Sequence, residues 1–188
     1  MTCIVGIEAD SRVFVGADSA YTDGQTQGLV SRDDGKLWRT GDYLLGVAGS
    51  PRVSNLLRFM ELPPAPTRGL FRHMVLVVVP LVRKALRSGG RMLKDRDVDP
   101  SGYGVGGGDA SDGVLLVGVR GKVYTIHSDF QVCRARAGYD AIGSGGSVAM
   151  GALCATADIE PKERVRIALT AAETHACGVK RPWRILTA

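Results

Sequence analysis

The sequence predicts an α+β fold in which two β-sheets face each other with helices on the outside. Three observations carry that prediction. Short β-prone runs fill the first third, helical spacing takes over in the middle, strands return from Val114, and two further helical stretches follow. Glycine- and proline-rich breaks separate these segments at short intervals. The chain has 188 residues, enough for one domain over 1–188 with a sizeable core, and with aromatics at only 6% that core must be aliphatic.

The elements follow in order. Cys3 to Ile7 and Val13 to Ala17 flank a polar turn at Asp10-Ser11 and read as a hairpin. Thr22 to Gly28 reads as a loop. Lys36 to Arg39 and Tyr43 to Ala48, separated by Thr40-Gly41-Asp42, read as a second hairpin. Pro51 to Met60 places Val53, Leu56, Leu57 and Met60 on one helical face. After Leu62-Pro63-Pro64-Ala65-Pro66, a longer helix is expected from about Arg68 to Arg87, kinked by Pro80 and stopped at Ser88-Gly89-Gly90. The charged run Arg91 to Asp99 and the glycine-rich run Ser101 to Gly108 read as a mobile connection. Strands are expected at Val114 to Val119 and Val123 to His127 around an Arg120-Gly121 turn. Ile142-Gly143-Ser144-Gly145-Gly146 leads into a helix over about 147–156, and Pro161 opens another that runs to about Cys177. Trp183 to Leu186 suits a closing strand.

Composition excludes several classes. A net charge of +5 and a pI near 9.2 come from scattered basic residues, which makes nucleic acid an unfavoured partner. Cys3, Cys133, Cys154 and Cys177 form no C-x-x-C pair, so zinc and thioredoxin-like chemistry are not expected, and reduced thiols in a cytoplasmic protein are the default; no metal site and no cofactor is expected elsewhere in the chain. The N-terminus has no basic region or cleavage site for secretion, and the apolar run Met74 to Val82 is too short to cross a bilayer, so no membrane partner is expected. Gly143 to Gly146 lacks the following lysine of a phosphate-binding loop and reads as a tight turn. His73 and His127 read as ordinary helix-surface and strand residues.

Hairpin geometry supplies the first chemical clue. A pair of strands turning at Asp10-Ser11 sets position 2 opposite Asp18 or Ser19, with opposed Cα atoms about 4.5–5.5 Å apart. Thr2 thus lies beside a carboxylate through local pairing alone, although Asp18-Ser19 ending a strand and capping a turn explains the same residues. In the second hairpin Lys36 faces Leu45 or Gly46, ahead of Gly46-Val47-Ala48-Gly49. An exposed strand lysine is the usual case; an inward one needs a counter-charge, for which Asp18 is the natural candidate.

Taken in order, Thr2-Cys3-Ile4-Val5-Gly6-Ile7, Gly16-Ala17-Asp18-Ser19, Gly35-Lys36-Leu37-Trp38-Arg39, Gly46-Val47-Ala48-Gly49 and Ala141-Ile142-Gly143-Ser144-Gly145-Gly146 resemble the proteasome β-subunit family, and especially its bacterial HslV-like branch. Each motif is weak alone; five in the right order are specific. The resemblance implies a four-layer αββα sandwich of the N-terminal-nucleophile hydrolase type. It implies Thr2 as nucleophile, Lys36 as the active-site lysine, Asp18 as its partner, Gly49 as an oxyanion-hole donor and Ser144 as the serine of the turn beside the nucleophile. It also implies a threonine peptidase acting on peptide or protein substrates in a homo-oligomer, a ring in relatives, with an ATP-dependent unfoldase as a conceivable partner. An inactive structural subunit of the same fold is the alternative. The family adds an aspartate and a serine near the end of its last long helix, where this chain has Thr174 and Cys177.

The chemistry is self-consistent. A threonine hydroxyl needs a base, and a free α-amine of pKa about 7.7–8.0 can serve. An ammonium beside that amine lowers its pKa by like-charge repulsion, and a carboxylate holds the ammonium in place. Activity therefore requires loss of Met1, which precedes a small second residue of the kind from which initiator methionine is usually removed. Cys3 should point away from Thr2 across the pleat and is not expected to act as nucleophile.

Overall fold

Residues 1–22, 29–31, 35–93, 110–111 and 113–188 are described in the computed structural model. β1 (Ile4–Ala9) and β2 (Arg12–Asp18) form the first hairpin around Asp10 and Ser11, both at positive φ as a tight two-residue turn demands. β3 (Ala20–Thr22) and β4 (Leu29–Ser31) pair in a small ribbon. β5 (Leu37–Thr40) and β6 (Tyr43–Gly49) form the second hairpin. α1 (Pro51–Arg58) starts with Pro51 in its first turn and the Ser50 hydroxyl accepting from the Arg52 N–H.

α2 (Leu70–His73), a π-helical turn (Met74–Val78) and α3 (Val79–Ser88) follow one another directly. The expected kink at Pro80 takes this form: proline cannot donate to the preceding turn, and the helix widens ahead of it. β7 (Met92–Leu93) pairs with β8 (Ala110–Ser111), so residues 92–93 of the expected connection are strand; the rest of that expectation, over 94–109, lies outside the described residues, as does most of the 22–28 loop. β9 (Gly113–Val119) and β10 (Lys122–Ile126) form a third hairpin, followed by β11 (Val132–Cys133) and β12 (Tyr139–Ile142). α4 (Gly146–Ala155), α5 (Pro161–His175) and β13 (Trp183–Thr187) complete the chain.

Two sheets result, with strand orders β12-β1-β2-β13 and β11-β10-β9-β6-β5. Three apolar cores show how they stack. Ile4, Val13, Val15, Leu37, Leu44 and Leu116 fill the space between the sheets. Cys3, Val5 and Ile7, on the opposite face of β1, pack on Ala149, Leu153, Val165 and Leu169 of α4 and α5. Leu45, Val47, Leu115 and Val117 pack on Val53, Leu57, Met74, Val82 and Leu86 of α1 to α3. The strand period of two explains the division, because neighbouring residues of each strand serve different cores. The architecture is therefore αββα. Near the start of β1 the sheets come close: a Cβ on Gly46 would stand 2.8 Å from Ile4 Cγ2. That proximity brings the Lys36 end of the second hairpin over the Thr2 end of the first.

Candidate active site

Register decides which residues meet. Ile4 pairs with Ala17 and Val5 with Gly16, so by continuation Thr2 lies across from Ser19 and Asp18 across from Cys3. The Cys3 N–H donates to Asp18 Oδ1 at 2.9 Å and the Asp18 N–H to the Cys3 carbonyl at 3.2 Å. In the second hairpin Leu37 pairs with Gly46, and the Val47 N–H donates to the Lys36 carbonyl at 3.0 Å. Lys36 thus faces Val47, not Leu45 or Gly46. The turn is closed by the Thr40–Tyr43 pair with Gly41 and Asp42 at its tip, which moves the register from that expected for a turn centred nearer Gly41.

Lys36 and Asp18 form a buried ion pair between the two sheets. The Lys36 Nζ lies 2.9 Å from each Asp18 oxygen, with side chains 3% and 0% exposed. Burial drives the lysine pKa below its usual 10.5, and the Asp18 carboxylate pulls it back only in part. Asp18 Oδ2 also accepts the Ala20 N–H at 3.1 Å, so the carboxylate is held by two backbone donors as well as the ammonium. The face of the Tyr21 ring lies 5.1 Å from Nζ, an added cation–π contact.

Thr2 is 5% exposed. Its hydroxyl donates to the Met1 carbonyl at 2.7 Å, and Lys36 Nζ donates to that same oxygen at 2.7 Å. The Thr2 hydroxyl and the ammonium are therefore no more than twice that distance apart. On the other side, the Thr2 N–H donates to Ser144 Oγ at 3.2 Å, Ser144 Oγ donates to the Thr2 carbonyl at 3.4 Å, and the Gly145 N–H donates to that carbonyl at 3.1 Å. Gly143 allows this approach. It has φ +91, and a Cβ there would fall 2.3 Å from the Thr2 carbonyl oxygen. β12 carries the 143–145 turn to Thr2 by pairing Ile142 with Ile4.

The structure thus joins Thr2, Asp18, Lys36 and Ser144 in one hydrogen-bonded cluster. Gly49 lies at the exposed end of β6, two residues beyond the one facing Lys36, at φ +151; among the described residues it has no hydrogen bond to the cluster. The Cys3 thiol packs in the helix-side core, where burial first and the Asp18 charge second push its pKa up to about 12. A thiol so hard to ionise is a poor nucleophile. Thr174 is exposed and donates to the Thr170 carbonyl at 2.9 Å, and Cys177 is exposed. Sequence reading did not find Gly145, Tyr21 or β12 as contributors. Gly145 was visible only as part of a turn motif, and Tyr21 carried no signal. Among the described residues no three His, Cys, Asp or Glu side chains gather as a metal ligand set, and no helix is long and apolar enough to cross a membrane.

No family model matches the sequence, and no curated protein is significantly similar to it. Solved structures are. Thiobacillus denitrificans BPH in complex with epoxomicin superimposes with a TM-score of 0.77 at 19% identity, covering 99% of this chain and 97% of that one. HslV from Trypanosoma brucei gives 0.66 at 19% identity over 98% of both chains. The Anbu complex from Pseudomonas aeruginosa, solved as a helical assembly, gives 0.66 at 16% identity over 99% of this chain and 80% of that one. At such identities the likeness is one of architecture, and the architecture is that of the proteasome-type N-terminal-nucleophile subunits.

Proposed function

We propose that this chain is a threonine-type N-terminal-nucleophile hydrolase that cleaves amide bonds in peptides or proteins once the Met1–Thr2 bond has been cut. The observation that carries the reading is the convergence of the Thr2 hydroxyl and the Lys36 ammonium on one carbonyl oxygen, beside a fully buried Asp18. Loss of Met1 turns the Thr2 N–H, which faces Ser144 Oγ, into an amine in the place where a base is needed.

In this scheme the amine takes the hydroxyl proton as Thr2 Oγ1 bonds to the substrate carbonyl carbon, whose oxygen becomes the oxyanion. Gly49 is the proposed backbone donor to that oxyanion, a kind of interaction worth about 10²–10³ in rate. The scissile C–N bond breaks as the ammonium passes its proton to the leaving amine. Water then attacks the ester, with the amine again as base, and restores Thr2. Lys36 keeps the amine's proton affinity low, and Asp18 keeps Lys36 charged and aimed. Homo-oligomeric assembly, in a ring or another symmetry, cytoplasmic residence and service to an ATP-dependent unfoldase extend the same reading. They draw on the likeness to HslV and to the helically assembled Anbu protein.

A catalytically silent structural subunit is the second reading. It is favoured by Thr174, which faces solvent and spends its hydroxyl on its own helix. Intact mass and labelling by a peptide epoxyketone, whose ketone and epoxide suit a hydroxyl and an amine, separate the two. The hydrolase loses the mass of Met1 and takes up label at Thr2, and Thr2→Ala takes up none while keeping its fold. An N-terminus still blocked in the assembled particle, or equal turnover by Thr2→Ala, refutes the hydrolase reading.

A further inference from the structure

The segment that leaves α5 runs along the amino side of Thr2. Gly178, at φ +72, lies against Met1: a Cβ there would stand 2.8 Å from Met1 Cε and 3.0 Å from Met1 Cβ. Val179 is fully buried in the core beneath α4 and α5. The Lys180 carbonyl accepts the N–H of Ser19, the residue across from Thr2, at 3.3 Å. Trp183 then pairs with Asp18 as β13 joins β2. Residues 178–181 therefore form a strap that walls the space Met1 occupies and holds Ser19, and it leads directly into the β13 strand whose Trp183 pairs with Asp18.

One side chain holds the strap from the helix. Glu173 Oε1 accepts the Arg181 N–H at 3.1 Å, and Glu173 Oε2 accepts from Arg181 Nε at 2.8 Å. The carboxylate is 19% exposed and the Arg181 side chain 63%, with the guanidinium lying 4.3 Å over the Trp183 ring. A charge-assisted bond to a backbone N–H fixes main chain as well as side chain, which an ordinary surface ion pair does not do.

We infer that Glu173 is a positioning residue for the nucleophile: by clamping the 178–181 strap through Arg181, it fixes Ser19 and the Asp18–Lys36 couple against the Thr2 amine. This inference rests on the proposed hydrolase reading. When the clamp is lost the Thr2 hydroxyl stays, but the ammonium that lowers the amine's pKa is held less closely. The acid limb of the pH profile then moves upward and the chemical step slows, while peptide binding is spared.

The test measures epoxyketone labelling of Met1-free protein, its N-terminus verified by mass, as an inactivation rate and a half-saturating concentration between pH 5 and 9. Glu173→Ala should lower the maximal rate about tenfold, a modest share of the roughly hundredfold that a 1 Å misplacement costs. Its acid limb should rise, and half-saturation should stay within about twofold of wild type. Glu173→Gln, which keeps an acceptor for one of the two donors, should fall between. Arg181→Ala, which keeps the backbone N–H, should be milder, and the double variant no worse than Glu173→Ala alone. Final label stoichiometry equal to wild type shows that the variants are folded. Wild-type rate and an unmoved acid limb in Glu173→Ala overturn the inference. A rate loss without movement of the limb also overturns it, because that is what a purely structural contact gives. Wild-type protein that takes up no label overturns the hydrolase reading itself, and this inference falls with it.

Discussion

Replacing Lys36 by methionine tests the centre of the site. Methionine keeps the length and apolar stem of lysine but removes the ammonium, leaving Asp18, fully buried, without its counter-charge. Breaking a buried pair from one side costs about 3–5 kcal/mol. The lower end applies here, because Asp18 keeps its bonds from the Cys3 and Ala20 N–H groups. For a chain of this size each kcal/mol lowers Tm by about 2–4 °C, so Lys36→Met should melt about 6–12 °C below wild type. Adding Asp18→Asn removes the orphaned charge. The asparagine Oδ1 can still accept from Cys3, but its NH₂ then meets the Ala20 N–H donor, leaving a deficit of about 1 kcal/mol. The double variant should therefore be more stable than Lys36→Met alone, recovering most of the lost Tm. Neither variant should label with an epoxyketone at better than about a hundredth of the wild-type rate. Calorimetry and labelling on the same preparations make the check. A Lys36→Met protein melting within about 2 °C of wild type, with no recovery in the double variant, refutes the buried pair. Undiminished labelling refutes the place given to Lys36 beside the nucleophile.

Gly143→Ala puts a methyl group 2.3 Å from the Thr2 carbonyl oxygen at φ +91, a conformation that costs alanine about 1–3 kcal/mol; thermal unfolding should show the loss, and labelling at Thr2 should fall further than Tm does. Glu8 joins the sheets by accepting the Val123 N–H at 2.9 Å and pairing with Arg134 at 2.7 and 2.9 Å. Burial alone would raise its pKa, but the Arg134 and Val123 hydrogen bonds hold it below 4.5. A depressed carboxylate stabilises the fold above its unfolded pKa and loses that effect as pH falls through the folded value. Glu8→Gln should therefore cost about 1 kcal/mol near neutral pH, limited by the exposure of Arg134, and progressively less below pH 4.5, as urea melts across pH 3–7 will show.

The legible parts of the fold were those that local physics fixes. Asp10-Ser11 defines a two-residue turn, and the apolar runs beside it then have one register, which brings Asp18 to Cys3 and Ser19 to Thr2 without further help. The second hairpin was read out of register because Thr40-Gly41-Asp42 admits more than one turn, and a hairpin register follows its turn. β12 went unseen: Tyr139–Ile142 is only half-buried apart from Ile142 and carries Asp140 within it, so neither alternation nor an apolar run announces a strand. Its pairing with β1 brings Ser144 to Thr2, and Ser144 was foreseen only through the resemblance of its turn. The Glu173 clamp is a helix-to-strap contact across eight positions, for which no periodicity gives a sign.

The hydrogen bonds around the Met1 carbonyl show what cleavage of the Met1–Thr2 bond would release in the proposed site. An ammonium has three N–H donors, and Lys36 directs them at two Asp18 oxygens and the Met1 carbonyl. Met1 therefore acts twice: its peptide bond ties up the nitrogen that must become the base, and its carbonyl oxygen engages both the nucleophile and the lysine. When it departs, Asp18 keeps its partners and the strands keep their register. Of the groups held by the Met1 carbonyl, the Thr2 hydroxyl and one lysine donor lose that partner, and in the proposed scheme both then serve the newly liberated amine. In the proposed scheme the Lys36–Asp18 pair and the Ser144 contacts are thus in place before the base exists, and the activating step is cleavage of the Met1–Thr2 bond.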